Sequence, residues 1–122
     1  MKKQTPESKV LQGCLNYLKS RGIMHWRNTT GAIKAQSGHW LHYGKKGSSD
    51  IIGVMPDGRA LFVECKAPEG GRLSPEQKEF IDEARRSGAL CVLAKDWAEL
   101  DQAILDAGYK DKDMVLFNQR GA

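Results

Sequence analysis

Long hydrophobic runs are missing from this sequence. Apolar stretches such as Ile51-Ile52 and Leu61-Phe62-Val63 are far too short to span a bilayer. No apolar segment follows the basic start at Lys2 and Lys3, so no secretory leader is expected. Cysteine is scarce as well: Cys14, Cys65 and Cys91 form no CxxC pair, and their odd number argues against a disulfide framework. With His25, His39 and His42 they show no zinc-ligand spacing, which excludes a small zinc-dependent regulator. Repeats, linkers and a second composition zone are also absent. Residues 1–122 therefore read as one domain, and 40% hydrophobic with 28% charged residues is an ordinary balance for a single core. A reduced, intracellular protein with no membrane association and no zinc is the expectation.

Acidic residues are nearly lacking from the first part of the chain. Residues 1–49 hold nine Lys and Arg and the single acid Glu7, a net charge of +8, whereas residues 50–122 carry −4. Such asymmetry fits either a polyanion-binding face or a solvated basic surface.

Thr5-Pro6-Glu7 opens a first helix with a capping hydroxyl, a proline in the first turn and an acid at the positive dipole end. Val10, Leu11, Cys14, Leu15 and Leu18 then recur with helical spacing up to Gly22. A short strand follows at 23–27. Residues 29–49, with four glycines among basic and aromatic residues, read as a long, mobile loop. Two strands, 50–55 and 59–66, flank the turn Pro56-Asp57-Gly58 and pair antiparallel. Ser74-Pro75-Glu76-Gln77 begins a second helix with capping-box spacing. Leu90–Ala94 suits a buried strand, and Asp96 to Glu99 opens the last helix. The predicted order is α-β-β-β-α-β-α, with a right-handed crossover from 59 to 94. Trp26 and Trp97 are expected in the core.

Alternation places Phe62, Glu64 and Lys66 on one face of their strand and Leu61, Val63 and Cys65 on the other. Charges on the inner side of a sheet are costly unless paired or bound to metal. Asp50, at the start of the neighbouring strand, can approach Glu64. Two carboxylates, a lysine and a basic surround suit a magnesium ion and a phosphate. The competing reading is a solvated Glu64/Lys66 pair. Cys65, buried by the same alternation and without a base, is no nucleophile.

Five segments in order carry a further signal: Glu7 on the first helix, Arg27-Asn28-Thr29-Thr30-Gly31, Gly47-Ser48-Ser49-Asp50, Glu64-Cys65-Lys66, and Leu73-Ser74-Pro75-Glu76-Gln77. Together they resemble the PD-(D/E)xK nuclease superfamily, and within it the stand-alone VRR-Nuc (virus-type replication-repair nuclease) domains of phages, which also occur as modules of larger repair proteins. The resemblance covers about residues 7–93. Ser49 departs from it, standing where the family usually has proline.

The resemblance implies a restriction-endonuclease-like α/β core, a mixed sheet flanked by helices. It also implies a Mg²⁺- or Mn²⁺-dependent DNA endonuclease in a bacterial or phage-infected cytoplasm. Catalytic roles fall to Asp50, Glu64, Lys66 and Gln77. Metal ligation falls to Asp50, Glu64 and the backbone carbonyl of Cys65, with Glu7 direct or through water. Gln77 would orient Lys66 or a water. Stand-alone members are linked with four-way (Holliday) junctions, and symmetric cutting there calls for a homodimer. Arg27, Lys34, Lys45 and Lys46 are candidate phosphate contacts, Asn28 a supporting group, and Trp40 a base-stacking candidate beside Tyr43. The alternative is a catalytically silent DNA-binding or packaging module on the same fold.

Overall fold

The structure, a computed structural model, describes residues 4–110; Lys2 and Lys3, part of the basic first half, lie outside the described residues. Helix α1 (Pro6–Ser20) starts where expected, with the Thr5 hydroxyl accepting the Ser8 backbone N–H at 3.1 Å. Its apolar stripe buries Val10, Cys14, Tyr17 and Leu18. Four strands follow that make one sheet: β1 (Met24–Arg27), β4 (Ile51–Val54), β5 (Ala60–Cys65) and β6 (Leu90–Ala94), in the order β1-β4-β5-β6. The first two pairings are antiparallel and β5 runs parallel to β6, so the sheet is mixed, as the sequence implied.

Helix α2 (Pro75–Arg86) makes the crossover between β5 and β6, and α3 (Trp97–Asp106) closes the described chain. Leu61, Val63 and Cys65 enter one core with Val10, Cys14 and Leu18 of α1 and Leu100 and Ile104 of α3. The opposite face of β5 meets α2, where the Phe62 and Phe80 rings pack edge to face at 5.0 Å. Period-2 alternation thus divides β5 between two helical layers.

The segment expected to be a loop holds two further strands. β2 (Gly31–Lys34) and β3 (Trp40–Tyr43) form a separate antiparallel hairpin, so the order is α-β-β-β-β-β-α-β-α. Its strands are four residues each, and every residue in them is exposed. No buried face disciplines the side-chain pattern here, which is why alternation was invisible in the sequence. The aromatic expectation also fails in part: Trp26 is 46% and Trp97 53% exposed. Trp26 lies on edge strand β1, and Trp97 is the first residue of α3, where an amphipathic ring need not be covered.

Gly53, in β4 between the core strands, approaches β1 closely. A Cβ there would lie 2.6 Å from the Met24 carbonyl oxygen. Since the obstacle is backbone, Gly53→Ala must displace β1 from β4; it should lower stability by about 1–3 kcal/mol, measured by chemical denaturation.

Candidate active site

The site is assembled at the end of the sheet where β4 begins and β5 ends. Ile51 pairs with Val63, so one step further along the ladder Asp50 faces Glu64. Asp50 is fixed there by two independent contacts. Its Oδ2 accepts the Cys65 backbone N–H at 2.7 Å, and its carbonyl accepts the Asn28 N–H at 2.7 Å. Asn28 also donates its side-chain amide to Ser48 Oγ at 2.7 Å and to the Ser49 carbonyl at 2.9 Å. Both amide hydrogens are engaged within the protein, making Asn28 a clamp on the segment that presents Asp50.

Glu64 is 2% exposed, which rules out a solvated Glu64/Lys66 pair. Its Oε1 accepts a hydrogen bond from Gln77 Nε2 at 2.9 Å and faces Lys66 Nζ at 3.7 Å. Its Oε2 is buried with no hydrogen-bond partner. Gln77 serves two masters. Its Oε1 accepts the Ser74 backbone N–H at 2.9 Å while the Ser74 hydroxyl accepts the Gln77 N–H, the complete capping box of α2. Through its amide nitrogen Gln77 contacts Glu64 directly.

Lys66 continues β5 past its last strand residue, its N–H bonded to the Ala94 carbonyl at 3.0 Å. Its ammonium lies between Glu64 and Glu7, whose Oε1 is 3.9 Å away. Glu7 therefore reaches the cluster from the first turn of α1 through the lysine. Burial pushes the Glu64 carboxyl up to about 8, and the neighbouring charge of Asp50 adds to the rise; Lys66 offsets only part of it. Two acids so placed cannot both ionise freely without a compensating cation.

The donor set fits a hard divalent ion. An orphaned, buried carboxylate oxygen beside a second carboxylate is an unmet demand for positive charge. Among the described residues no three His, Cys, Asp or Glu side chains converge into a ready-made cage. Magnesium commonly binds through one or two carboxylates with water and phosphate completing its shell, so two suffice.

The candidate DNA contacts are spread around this centre. Arg27, Asn28, Lys46 and Ser48 line a polar cavity of about 300 Å³ that opens beside Asp50 and Gln77. Lys46 there pairs with Glu76 at 3.4 Å. Lys45 borders a different cavity of about 710 Å³, next to Phe62 and Phe80. Lys34 and Trp40 face each other across the β2–β3 hairpin. Ser48 and Ser49 received no role from the sequence. The signal available was their position directly before Asp50, where any backbone shift moves the carboxylate.

A mixed sheet with a buried Glu64 facing a half-buried Asp50, a lysine on the next outward position and a helix-borne glutamine defines the class to which this protein belongs. Residues 7–96 match the VRR-NUC domain model, and the chain is a member of that family, which carries a nuclease-like fold. A solved structure of a "VRR_NUC domain" is similar to it with a TM-score of 0.64 and 21% identity, covering 86% of this chain and 99% of the other. No curated protein matches the chain.

Two measurements follow from the buried groups. Glu64 has an ordinary carboxylate value when unfolded and about 8 when folded, so between these the folded state holds the extra proton. The contribution of Glu64 to the stability of the metal-free protein is then fullest below the ordinary carboxylate range and is lost as pH rises through about 8. Glu64→Gln should flatten this slope and raise the melting temperature at pH 8 in EDTA; an unchanged slope would refute the assignment. Ser49 Oγ is buried without a partner, so Ser49→Ala should leave the melting temperature unchanged or raise it.

Proposed function

We propose that this protein is a divalent-metal-dependent DNA endonuclease that hydrolyses phosphodiester bonds, selects branched DNA such as four-way junctions, and acts as a homodimer. The observation that carries the reading is Glu64: buried, half unsatisfied, opposite Asp50 and beside Lys66. Stability alone gives no reason to keep such a group.

Asp50, Glu64 and the Cys65 carbonyl would hold Mg²⁺ or Mn²⁺. When bound, the ion lowers the pKa of a coordinated water and offsets charge on the phosphate. The chain's own residues prepare the rest. The Cys65 N–H and Gln77 amide fix the two carboxylates in orientation. Lys66, largely shielded with its side chain 13% exposed, is placed to donate to a phosphate oxygen or to the attacking water. Glu7 holds the ammonium from the α1 side. Arg27 and Lys46 offer positive charge along the cavity beside Asp50, where the strand's neighbouring phosphates would run. One chain carries one such centre, so paired cuts in the two strands of a junction require two chains about a two-fold axis. The exposed Trp40 and Tyr43 of the hairpin support a preference for DNA with accessible bases.

A cleavage assay over four-way junction, flap, single strand and duplex tests this reading. Mg²⁺ or Mn²⁺ should support cutting, EDTA should stop it, and Ca²⁺ should allow binding with little turnover. Lys66→Ala should cost roughly 10²–10⁴-fold in rate with DNA affinity nearly kept. Asp50→Asn and Glu64→Gln should lose cleavage together with metal binding, read by calorimetry. Full cleavage in EDTA, or by Lys66→Ala, would overturn the mechanism. Tight junction binding without any cutting would favour the silent DNA-binding module.

A further inference from the structure

Trp97 was expected in the core, and its exposure marks a cleft distinct from the polar cavity described above. The cleft, about 320 Å³, lies between the first turns of α1 and the start of α3. Val10, Gly13 and Pro68 are among its lining residues, Trp97 lines it from α3, and Lys9 and Lys95 flank it. It adjoins the candidate active site through the chain itself. Pro6, also on its rim, precedes Glu7, and Pro68 lies two residues beyond Lys66.

We infer that this cleft is a stacking pocket for one unpaired nucleotide of the bound DNA strand, with Trp97 as the platform and Lys9 and Lys95 meeting the adjacent phosphates. The inference rests on the nuclease reading and adds a place for the strand near the cut.

Three observations support it. First, the indole is held in place, its ring stacked on Tyr17 with centroids 6.0 Å apart and planes 24° from parallel, yet the residue remains 53% exposed. A rigid, half-open aromatic loses little entropy when a base stacks on it. Second, the two cations are unpaired, and the acid in the lining is held by the start of α3. Among the described residues neither Lys9 nor Lys95 enters an ion pair. Asp96, also in the lining, accepts the Glu99 N–H at 2.8 Å, and Glu99 Oε1 accepts the Lys95 N–H at 3.0 Å. Third, Gly13 stands in mid-helix, where glycine costs about 1 kcal/mol relative to alanine. A Cβ there would meet only Trp97, at 3.7 and 3.8 Å, ordinary contact distances. Folding places no steric demand for glycine; what the missing side chain leaves is open space beside the indole.

The test measures affinity for labelled single-stranded, flap and plain duplex DNA in Ca²⁺, with thermal melts of every variant. Trp97→Ala should lose roughly five- to 150-fold on single-stranded and flap DNA and little on duplex, with the salt slope kept. Gly13→Leu should show the same selective loss by filling the cleft, whereas Gly13→Ala, with one methyl in that space, should show a smaller loss and melt at the same temperature or higher. Lys9→Ala with Lys95→Ala should make the salt slope of log affinity shallower by about 0.7 per lysine on single strands. Native affinity in either Trp97→Ala or Gly13→Leu, or an equal loss on duplex, would overturn the pocket. Should the native protein bind and cut DNA while these variants match it, only the pocket falls. Should the native protein bind no DNA at all, the nuclease reading falls with it.

Discussion

A carboxylate removed from water with one oxygen unpaired is the constraint around which this molecule is arranged. Glu64 projects from β5 toward α2, into a place where its charge is costly. Everything beside it answers that cost in part. Gln77 binds one oxygen, Lys66 supplies nearby positive charge, and Asp50 works in the opposite direction by adding a second acid. The remaining imbalance holds the Glu64 carboxyl well above the usual carboxylate range in the metal-free protein, and it is the property that makes the centre receptive to a cation.

The sheet explains why these groups meet. Because β4 is antiparallel to β5, the start of one strand lies against the end of the other, which brings Asp50 to Glu64. Because β5 is parallel to β6, the chain leaves the sheet on the same side twice. The two exits place Lys66 and the start of α3 at one end, and the N-terminal turn of α1 is there as well. The α2 capping box then does two jobs with one side chain: it starts the helix and aims an amide at the buried carboxylate. Local stability and the geometry of the centre are thus coupled through Gln77.

Exposed aromatic surface is concentrated away from the core. Trp40, Leu41, Tyr43 and Ile33 stand on the β2–β3 hairpin, and Trp97 lines the cleft beside α1. A two-stranded hairpin without a covering layer is marginal by itself, so its apolar residues do little for the fold. Asp50 lines the polar cavity, and the Trp97 cleft is lined by Pro6 and Pro68, close in the chain to Glu7 and Lys66.

What could be read from the sequence were the features carried by neighbours in the chain. The caps at Thr5 and Ser74 and the division of β5 into a Leu61/Val63/Cys65 face and a Phe62/Glu64/Lys66 face depend on spacing alone, and the structure has them. The Asp96–Glu99 start of α3 followed the same logic, although Glu99 bonds the Lys95 N–H rather than closing the box on Asp96. The order and type of the segments from Glu7 to Gln77 were enough to mark the family. Burial was not legible in the same way, because exposure is set by what lies on the other side of a residue. Trp26 and Trp97 have core-like side chains but fall at an edge strand and a helix start. The hairpin escaped notice because strands with no buried face carry no compulsory alternation. The inward turn of Asn28, the second duty of Gln77 and the orphaned oxygen of Glu64 arise only when residues 13 to 21 positions apart are folded together. Local spacing determined which elements form, and tertiary packing decided which polar groups lose their water.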